Sequence, residues 1–398
     1  MINIGKYLLQ ALDILKYKIK SFFYSDKDKY KNSWLICERG TEAKDNGFCF
    51  FRYLRDNHPE INAFYIIDKN SNDYNKVKQY GNIIDFQSDE HKIASFFANN
   101  FISTHTGYVC PWSYPLFKLM LNRGNKFNFI FLQHGITKDD LSGILNKRIT
   151  GIDLFITATK PEQKSILTLN YGYKEKEVPL TGFARFDFLT DETVPFKKKI
   201  LFMPTWRSNL VKILHKGEHS ENDEKNQFLN SDYYKLFNSF LSSNELSEIL
   251  DKNNIDLIFY PHYEIQRYLD LFLFSNEHII IASKDEYDVQ ELFKTCNLLI
   301  TDYSSVFFDF CYLKKPVIYY QFDSEEFFSS HYRKGYFSYE NDGFGKIVEN
   351  EKELFSELKK VINRNFLMEP IYEKRVLNTF SYFDSNNCNR IYDEIKKL

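Results

Sequence analysis

Cysteine and proline are sparse in this chain: 398 residues hold six Cys and ten Pro. The cysteines, at 37, 49, 110, 296, 311 and 388, form no C-x-x-C pair and keep no regular spacing. That excludes a disulfide framework and a cysteine-built zinc site. Four of them sit inside apolar stretches, as buried thiols of a reducing compartment do. There is no G-x-G-x-x-G, no P-loop and no G-x-S-x-G elbow, so dinucleotide oxidoreductase, NTPase and serine hydrolase chemistry lack their usual sequence basis. No apolar run approaches 18 residues and no signal-peptide cleavage pattern is present, which predicts a cytoplasmic protein with no segment spanning a bilayer. An excess of one charge is missing as well. A net charge of -2 supplies no positive field and argues against nucleic acid as a partner.

What remains is the composition of a globular protein, 43% hydrophobic and 27% charged, long enough for two domains with separate cores. The first residues stand apart. From 2 to 23, apolar residues recur at helical spacing (Ile4, Leu8, Leu12, Leu15, Ile19, Phe22), interleaved with Lys6, Lys16, Lys18 and Lys20. Residues 1–31 carry seven Lys against three Asp, a net +4 that leaves the rest of the chain at -6. A basic amphipathic helix on an acidic body predicts a membrane-surface segment. The competing expectation is a helix packed on the first domain with its lysines in water.

Beyond residue 31, short apolar runs alternate with helical patterns, which predicts α/β units with mainly parallel strands. Strands are expected at 34–37, 63–67, 83–86, 101–104, 127–132 and 154–157, then at 200–203, 257–260, 279–282, 298–301 and 317–320. Helices are expected at 161–169, 233–250 and 289–295, among others. An Asp/Glu/Thr/Pro stretch before a Lys run at 189–199 marks a boundary. It separates a Rossmann-like domain at 32–190 from a second at 191–398, whose last helices can pack back on the first. Residues 208–231, polar and without periodicity, read as a loop.

In open α/β sheets ligands bind beyond the carboxyl ends of the strands, and this chain puts its polar clusters there. Phe129-Ile-Phe-Leu-Gln-His-Gly135, Ile200-Leu-Phe-Met-Pro-Thr-Trp-Arg207, Leu257-Ile-Phe-Tyr-Pro-His262 and Leu298-Leu-Ile-Thr-Asp-Tyr-Ser-Ser305 all run from apolar strand to polar end. His134 has the chemistry of a general base near neutral pH, and Gly135 beside it allows close approach of a substrate. His262 can donate to a phosphate oxygen or protonate a leaving phosphate. Arg207, after Thr205, offers a planar fork to a diphosphate. Ser304 and Ser305, behind Asp302, are expected in the first turn of an apolar helix, where free N–H groups attract phosphate. The plain alternatives are strand-end histidines bonded to backbone, a surface ion pair for Arg207 and a helix cap at Ser304.

Taken in order, these segments resemble the CDP-glycerol glycerophosphotransferases of teichoic acid and capsule synthesis, from about Ser33 to the C-terminus. The resemblance is carried by Trp34-Leu-Ile-Cys-Glu-Arg-Gly40 with Asp45-Asn46-Gly47, by His134-Gly135, and by Thr181-Gly-Phe-Ala-Arg-Phe-Asp187. It continues through Pro204-Thr-Trp-Arg207, Pro261-His262, Thr301-Asp-Tyr-Ser-Ser305, Lys315-Pro316 and the stretch from Tyr319 to Asp323. It implies a GT-B fold of two Rossmann-like domains with the active site in the cleft between them. The second domain would hold the CDP donor, with Thr205, Arg207, Asp302, Ser304 and Ser305 at its phosphates. The first would face a lipid-linked acceptor, with Glu38, Asp45, Gly135 and Arg185 on that side. His134 and His262 are the catalytic residues the resemblance implies. Two departures stand out: many members have Trp before the His-Gly pair where this chain has Gln133, and many carry a long extra N-terminal domain.

The expected reaction is phosphoryl transfer. An acceptor hydroxyl deprotonated toward His134 attacks the β-phosphate of CDP-glycerol or CDP-ribitol, extending a teichoic acid or capsular polysaccharide, and CMP leaves. The expected place is the cytoplasmic face of the cell membrane, as a peripheral protein. No cofactor is required by this chemistry; Mg2+ could assist, with Asp302 and Asp309 the nearest carboxylates, but no dedicated metal cluster is written in the sequence. The rival expectations are a GT-B glycosyltransferase using a nucleotide sugar and a non-catalytic membrane scaffold.

Overall fold

The computed structural model describes residues 4–121, 127–194, 197–208, 210, 221–330 and 333–398. The chain divides into two compact units. Met1–Ile136, Leu141–Phe188 and Phe380–Leu398 make the first; Thr137–Asp140 and Leu189–Thr379 make the second.

Unit 1 is built on six parallel strands, β1 (Ser33–Cys37), β2 (Ala63–Ile67), β3 (Ile83–Asp85), β4 (Ala98–Ser103), β5 (Asn128–Phe131) and β6 (Leu154–Phe155), in the order β3-β2-β1-β4-β5-β6. Every residue of β1 and β2 is buried. Strands covered on both faces have no wet side to alternate toward, so they read as unbroken apolar runs. Strand order reverses between β1 and β4, and their ends come level where Cys37 pairs with Ser103. Crevices that hold ligands open at such a reversal.

The helix α1 (Ile4–Phe22) docks on this unit by an unexpected side. Ile14, Tyr17 and Ser21 are buried, and the bonds around them are polar: Lys92 Nζ and Trp112 Nε1 each donate to Asp13 at 2.9 Å, and Tyr17 Oη donates to Asp89. The apolar stripe points the other way. Leu8, Leu12, Leu15, Ile19 and Phe22 are 49–70% exposed. At helical spacing they span an arc of roughly 80°, with Lys16 and Lys18 on its flanks. The helix thus packs on the first unit with its lysines exposed, as the competing expectation had it, but by its polar side, which leaves the apolar stripe in solvent as well. Among the described residues, no helix is long and apolar enough to cross a membrane.

The chain also returns to unit 1 at its end, through the helix Asn387–Lys396. The preceding helix, Pro370–Thr379, stays with unit 2. Asp187 draws the last helix in by accepting from Asn387 N (2.9 Å), Asn387 Nδ2 (2.7 Å) and Cys388 N (2.7 Å). Gly182, at φ +81°, lies under the same Asn387, whose Oδ1 would be 2.0 Å from any Cβ placed there. Only glycine meets both conditions.

Unit 2 repeats the plan with β7 (Lys198–Met203), β8 (Ile255–Phe259), β9 (Ile279–Ile281), β10 (Leu298–Thr301), β11 (Val317–Tyr320) and β12 (Gly345–Val348), ordered β12-β11-β10-β7-β8-β9 and all parallel. Its reversal lies between β7 and β10. One strand here was not expected, and two expectations are corrected. Strand β12 has little apolar content to announce it, and opens on a Gly345 whose Cβ would sit 1.8 Å from Val317 O. The segment expected as a helix at 233–250 is two helices, Asp232–Leu241 and Asn244–Asn253, interrupted at Ser242 and Ser243. The loop expected at 208–231 contains a helix, Glu221–Asn230. That helix is anchored mainly by Phe228, fully buried and stacked on Tyr268 with ring centroids 4.5 Å apart; one anchor gives no periodicity to detect. Residues 209 and 211–220 of that expected loop lie outside the described residues.

Candidate active site

In unit 1 the strand ends converge on His134. Glu38, just past β1, is 1% exposed, and its carboxylate accepts from Lys44 N (2.9 Å), Asp45 N (3.0 Å) and Phe48 N (2.8 Å). Burial, then the neighbouring Asp45 charge, push its pKa up to about 8, against those three donors. It shapes the turn before α2 (Asn46–Asn57) and presents no oxygen to a ligand. Asp45 is the N-cap of α2 and accepts from Arg185 Nη1 at 2.6 Å. Arg185 is itself 3% exposed. Asn46 ties the pieces together: its Nδ2 donates to Gln133 O (2.8 Å) and Leu132 O (3.2 Å), and its Oδ1 accepts from Arg185 N (3.1 Å).

Gln133 has a left-handed backbone (φ +60°) and turns its side chain inward, where Nε2 donates to Ile156 O (2.6 Å) and Glu162 Oε1 (3.0 Å). The residue that departs from the Trp-His-Gly pattern is thus a buried brace, 1% exposed. Its reversal throws His134 outward, and Gly135 follows half-buried. His134 Nδ1 lies 3.3 Å from Thr104 O. A carbonyl only accepts, so Nδ1 carries the proton and Nε2 holds the lone pair. Desolvation lowers the His134 pKa; Asp45 and the Thr104 carbonyl oppose that, while Arg39 and Arg185 add to it.

A second histidine, not singled out from the sequence, lies against the first. His105 follows β4, and its ring stacks on His134 with centroids 4.5 Å apart and planes 8° from parallel. Arg39 Nε donates to His105 Nε2 at 3.1 Å, and His105 Nδ1 lies 2.8 Å from Thr104 Oγ1. The pattern that marked His134, an apolar strand ending in a histidine, is present in Phe101-Ile-Ser-Thr-His105 too.

In unit 2 the reversal between β7 and β10 gathers Thr205, Arg207, Asp302 and Ser304. Arg207 does not offer an open fork to a diphosphate. It is 9% exposed and donates through Nη1 to Asp302 Oδ2 (2.8 Å) and Thr205 O (2.9 Å), through Nε to Asp323 Oδ2 (2.6 Å) and through Nη2 to Asp323 Oδ1 (3.1 Å). Burial opposes its charge, but the two carboxylates outweigh it and hold the guanidinium pKa above its ordinary value. Nor is this the surface ion pair first set against the diphosphate role. Asp302, 1% exposed, also accepts from Thr205 N (2.9 Å) and Tyr303 N (2.7 Å). The network therefore sets the shape of both strand-end loops.

Ser304 and Ser305 are half-buried and precede the helix Val306–Tyr312 rather than forming its first turn. Ser305 is the N-cap with no side-chain cap bond, and Ser304 Oγ accepts from Val306 N at a long 3.4 Å. His262 is half-buried beyond β8. Its backbone N donates to Pro204 O (3.2 Å), and its Nδ1 accepts from Glu264 N at 3.4 Å, which puts the ring proton on Nε2.

Comparison with known proteins bears on the family and the fold. The family described as CDP-Glycerol:Poly(glycerophosphate) glycerophosphotransferase matches residues 19–397. The minor teichoic acid biosynthesis protein GgaB of Bacillus subtilis (strain 168) is 38% identical over 92% of this chain, and a teichoic acid poly(glycerol phosphate) polymerase of the same organism is 24% identical over 92%. This chain spans 40% and 49% of the length of those two relatives. Among solved structures, the wall teichoic acid polymerase TagF superposes with a TM-score of 0.66 at 19% identity, covering 98% of this chain and 97% of that one. A variant of that polymerase soaked with CDPG gives 0.65 at 18% identity, covering 98% and 97%. At such identities the likeness shows the fold, two Rossmann-like units of the GT-B class.

Proposed function

Because this chain belongs to the CDP-glycerol:poly(glycerophosphate) glycerophosphotransferase family, we propose that it transfers glycerol phosphate, or a related polyol phosphate, from a CDP-linked donor to a hydroxyl of a teichoic acid or capsular acceptor. The observation that carries the reading is His134: a neutral ring on an exposed strand end, with Nδ1 facing the Thr104 carbonyl and the Nε2 lone pair left to accept a proton. In the reaction, Nε2 takes the proton of the acceptor hydroxyl as its oxygen attacks the β-phosphorus. A new P–O bond forms, the P–O bond to CMP breaks, and CMP leaves with the bridging oxygen. His134 then releases its proton to solvent. His262, protonated at Nε2, is suited to hydrogen-bond the leaving phosphate, with the Ser304 and Ser305 hydroxyls beside the same reversal of unit 2. On this reading unit 1 receives the acceptor and unit 2 the donor.

Arg207 and Asp302 act one step back, holding the loops that carry Thr205 and Ser304. We place no divalent ion on Asp302, whose oxygens are committed to Thr205 N, Tyr303 N and Arg207; Mg2+ would arrive on the donor diphosphate. The exposed stripe of α1, flanked by Lys16 and Lys18, suits an anionic membrane surface, its leucines among the acyl chains and its lysines at the headgroups. Such a contact would hold the protein at the membrane leaflet that carries a lipid-linked acceptor.

A donor panel tests this reading. CDP-glycerol, CDP-ribitol and UDP- or CMP-sugars are each incubated with a synthetic lipid-linked oligo(glycerol phosphate), and products are weighed by mass spectrometry. The expected product gains one polyol phosphate per CMP released. Mass gained only as sugar, from a nucleotide sugar, would replace this reading with glycosyl transfer, and no transfer from any donor would favour a scaffold.

A further inference from the structure

Three adjacent strands of unit 1 each deliver one cation or imidazole to the same place: Arg39 beyond β1, His105 beyond β4 and His134 beyond β5. The contacts among them form a chain with a direction. A guanidinium is always a donor, so the 3.1 Å contact from Arg39 Nε fixes His105 Nε2 as an acceptor. The His105 ring proton must then lie on Nδ1, where it is given to Thr104 Oγ1 at 2.8 Å. The Thr104 carbonyl accepts from His134 Nδ1 at 3.3 Å. Arg39 therefore sets the tautomer of His105, with the Thr104 hydroxyl accepting its proton, and the Thr104 carbonyl sets that of His134. The two rings are then laid flat on each other, 4.5 Å apart and 8° from parallel.

We propose that His105 is a positioning residue for the transfer: its ring, pinned at both nitrogens by Arg39 and Thr104, is the plate against which His134 is held with Nε2 toward the acceptor. The inference rests on the reading of His134 as the general base. A lone imidazole at a strand end turns about its side-chain torsions, and a 3.3 Å bond is a weak restraint. A parallel ring on one face removes that freedom, as oriented catalytic groups require. The plate must also stay uncharged, because two imidazolium rings face to face would repel. Burial first, then His134 and Arg39, push the His105 pKa down to about 2, so it remains neutral throughout the working range. Among the described residues, the charged and titratable groups that act on His134 include Arg39, His105, Asp45 and Arg185, and Tyr108 packs edge-on against His105. Arg39 and Arg185 disfavour its protonated form and Asp45 favours it.

The test compares His105→Ala, His105→Phe, Arg39→Met and His134→Gln in the full chain. CMP release from CDP-glycerol onto a lipid-linked oligo(glycerol phosphate) gives kcat and KM. Ring 1H–15N spectra of histidine-labelled protein report the His134 tautomer. His105→Ala is expected to lower kcat by roughly 10–100-fold, with donor KM within about twofold, and to let the His134 proton exchange between Nδ1 and Nε2. His105→Phe, which restores a flat ring, is expected to recover most of the loss. Arg39→Met is expected to move the acid limb of the pH profile up, since the Arg39 charge holds the His134 pKa down, and it keeps the test open should the alanine variant fail to fold. Unchanged kcat and an unchanged Nδ1–H tautomer in His105→Ala, or an unmoved acid limb in Arg39→Met, would overturn the proposal. Turnover surviving in His134→Gln would instead remove the base reading on which it stands.

Discussion

Arg207 and Asp323 meet as fork and carboxylate, Nε on one oxygen at 2.6 Å and Nη2 on the other at 3.1 Å. With Nη1 also on Asp302, the guanidinium is spent inside unit 2 before any substrate arrives. Arg207→Met leaves two carboxylates without their cation, Asp302 fully buried and Asp323 half-buried. We expect it to cost about 3–5 kcal/mol of stability, read as a lowered midpoint in urea. An Arg207 that served the donor diphosphate would leave the midpoint unchanged and raise donor KM alone.

The pH profile follows from the His134 environment. Only the neutral ring accepts a proton, and its pKa is lowered, chiefly by desolvation. Lowering the pKa keeps the base neutral further into acid. Turnover should therefore hold level from about pH 8 down to about 6.5, the ordinary imidazole value, and fall only below it. A limb centred above that value would contradict the assignment.

How much of this was legible in the sequence depended on the kind of signal. Buried parallel strands are unbroken apolar runs, so β2, β10 and β11 were readable to the residue, and His134, His262 and Ser304 could be placed from the strands they follow. Bonds between distant segments leave no local trace. Nothing in Arg207 says that Asp302 and Asp323 will close on it, and nothing in Glu38 says that three backbone amides will take its carboxylate. Lys315, in a family-like Lys-Pro pair, proves to be an anchor, its Nζ donating to Phe293 O (2.8 Å) and Lys294 O (2.6 Å). His105 was legible in principle, since it ends an apolar strand as His134 does. Its partner Arg39 lies 66 positions away, and only strand order brings them together.

The face of α1 that meets solvent gives a further prediction. Leu12 and Ile19 are 57% and 64% exposed, so Leu12→Gln with Ile19→Gln should leave the melting midpoint unchanged. Each change should weaken sedimentation with phosphatidylglycerol vesicles by about 1–2 kcal/mol. Full retention on the vesicles would refute membrane contact through this stripe.

Asp187 offers a purely structural check. Asp187→Ala strips three donors around Asn387 and Cys388 of their acceptor. We expect a loss of about 2–4 kcal/mol, with amide exchange rising first in the helix Asn387–Lys396. Protection lost evenly across unit 1 would argue against that helix as a separately anchored piece.

The central claim is that His134 is the base of a polyol-phosphate transfer, and CMP release at saturating CDP-glycerol and acceptor measures it most directly. His134→Gln keeps a donor for the Thr104 carbonyl but removes the basic nitrogen. The account predicts a kcat lower by roughly 10²–10⁴-fold with an unchanged melting midpoint; a kcat within a few-fold of the natural protein would contradict it.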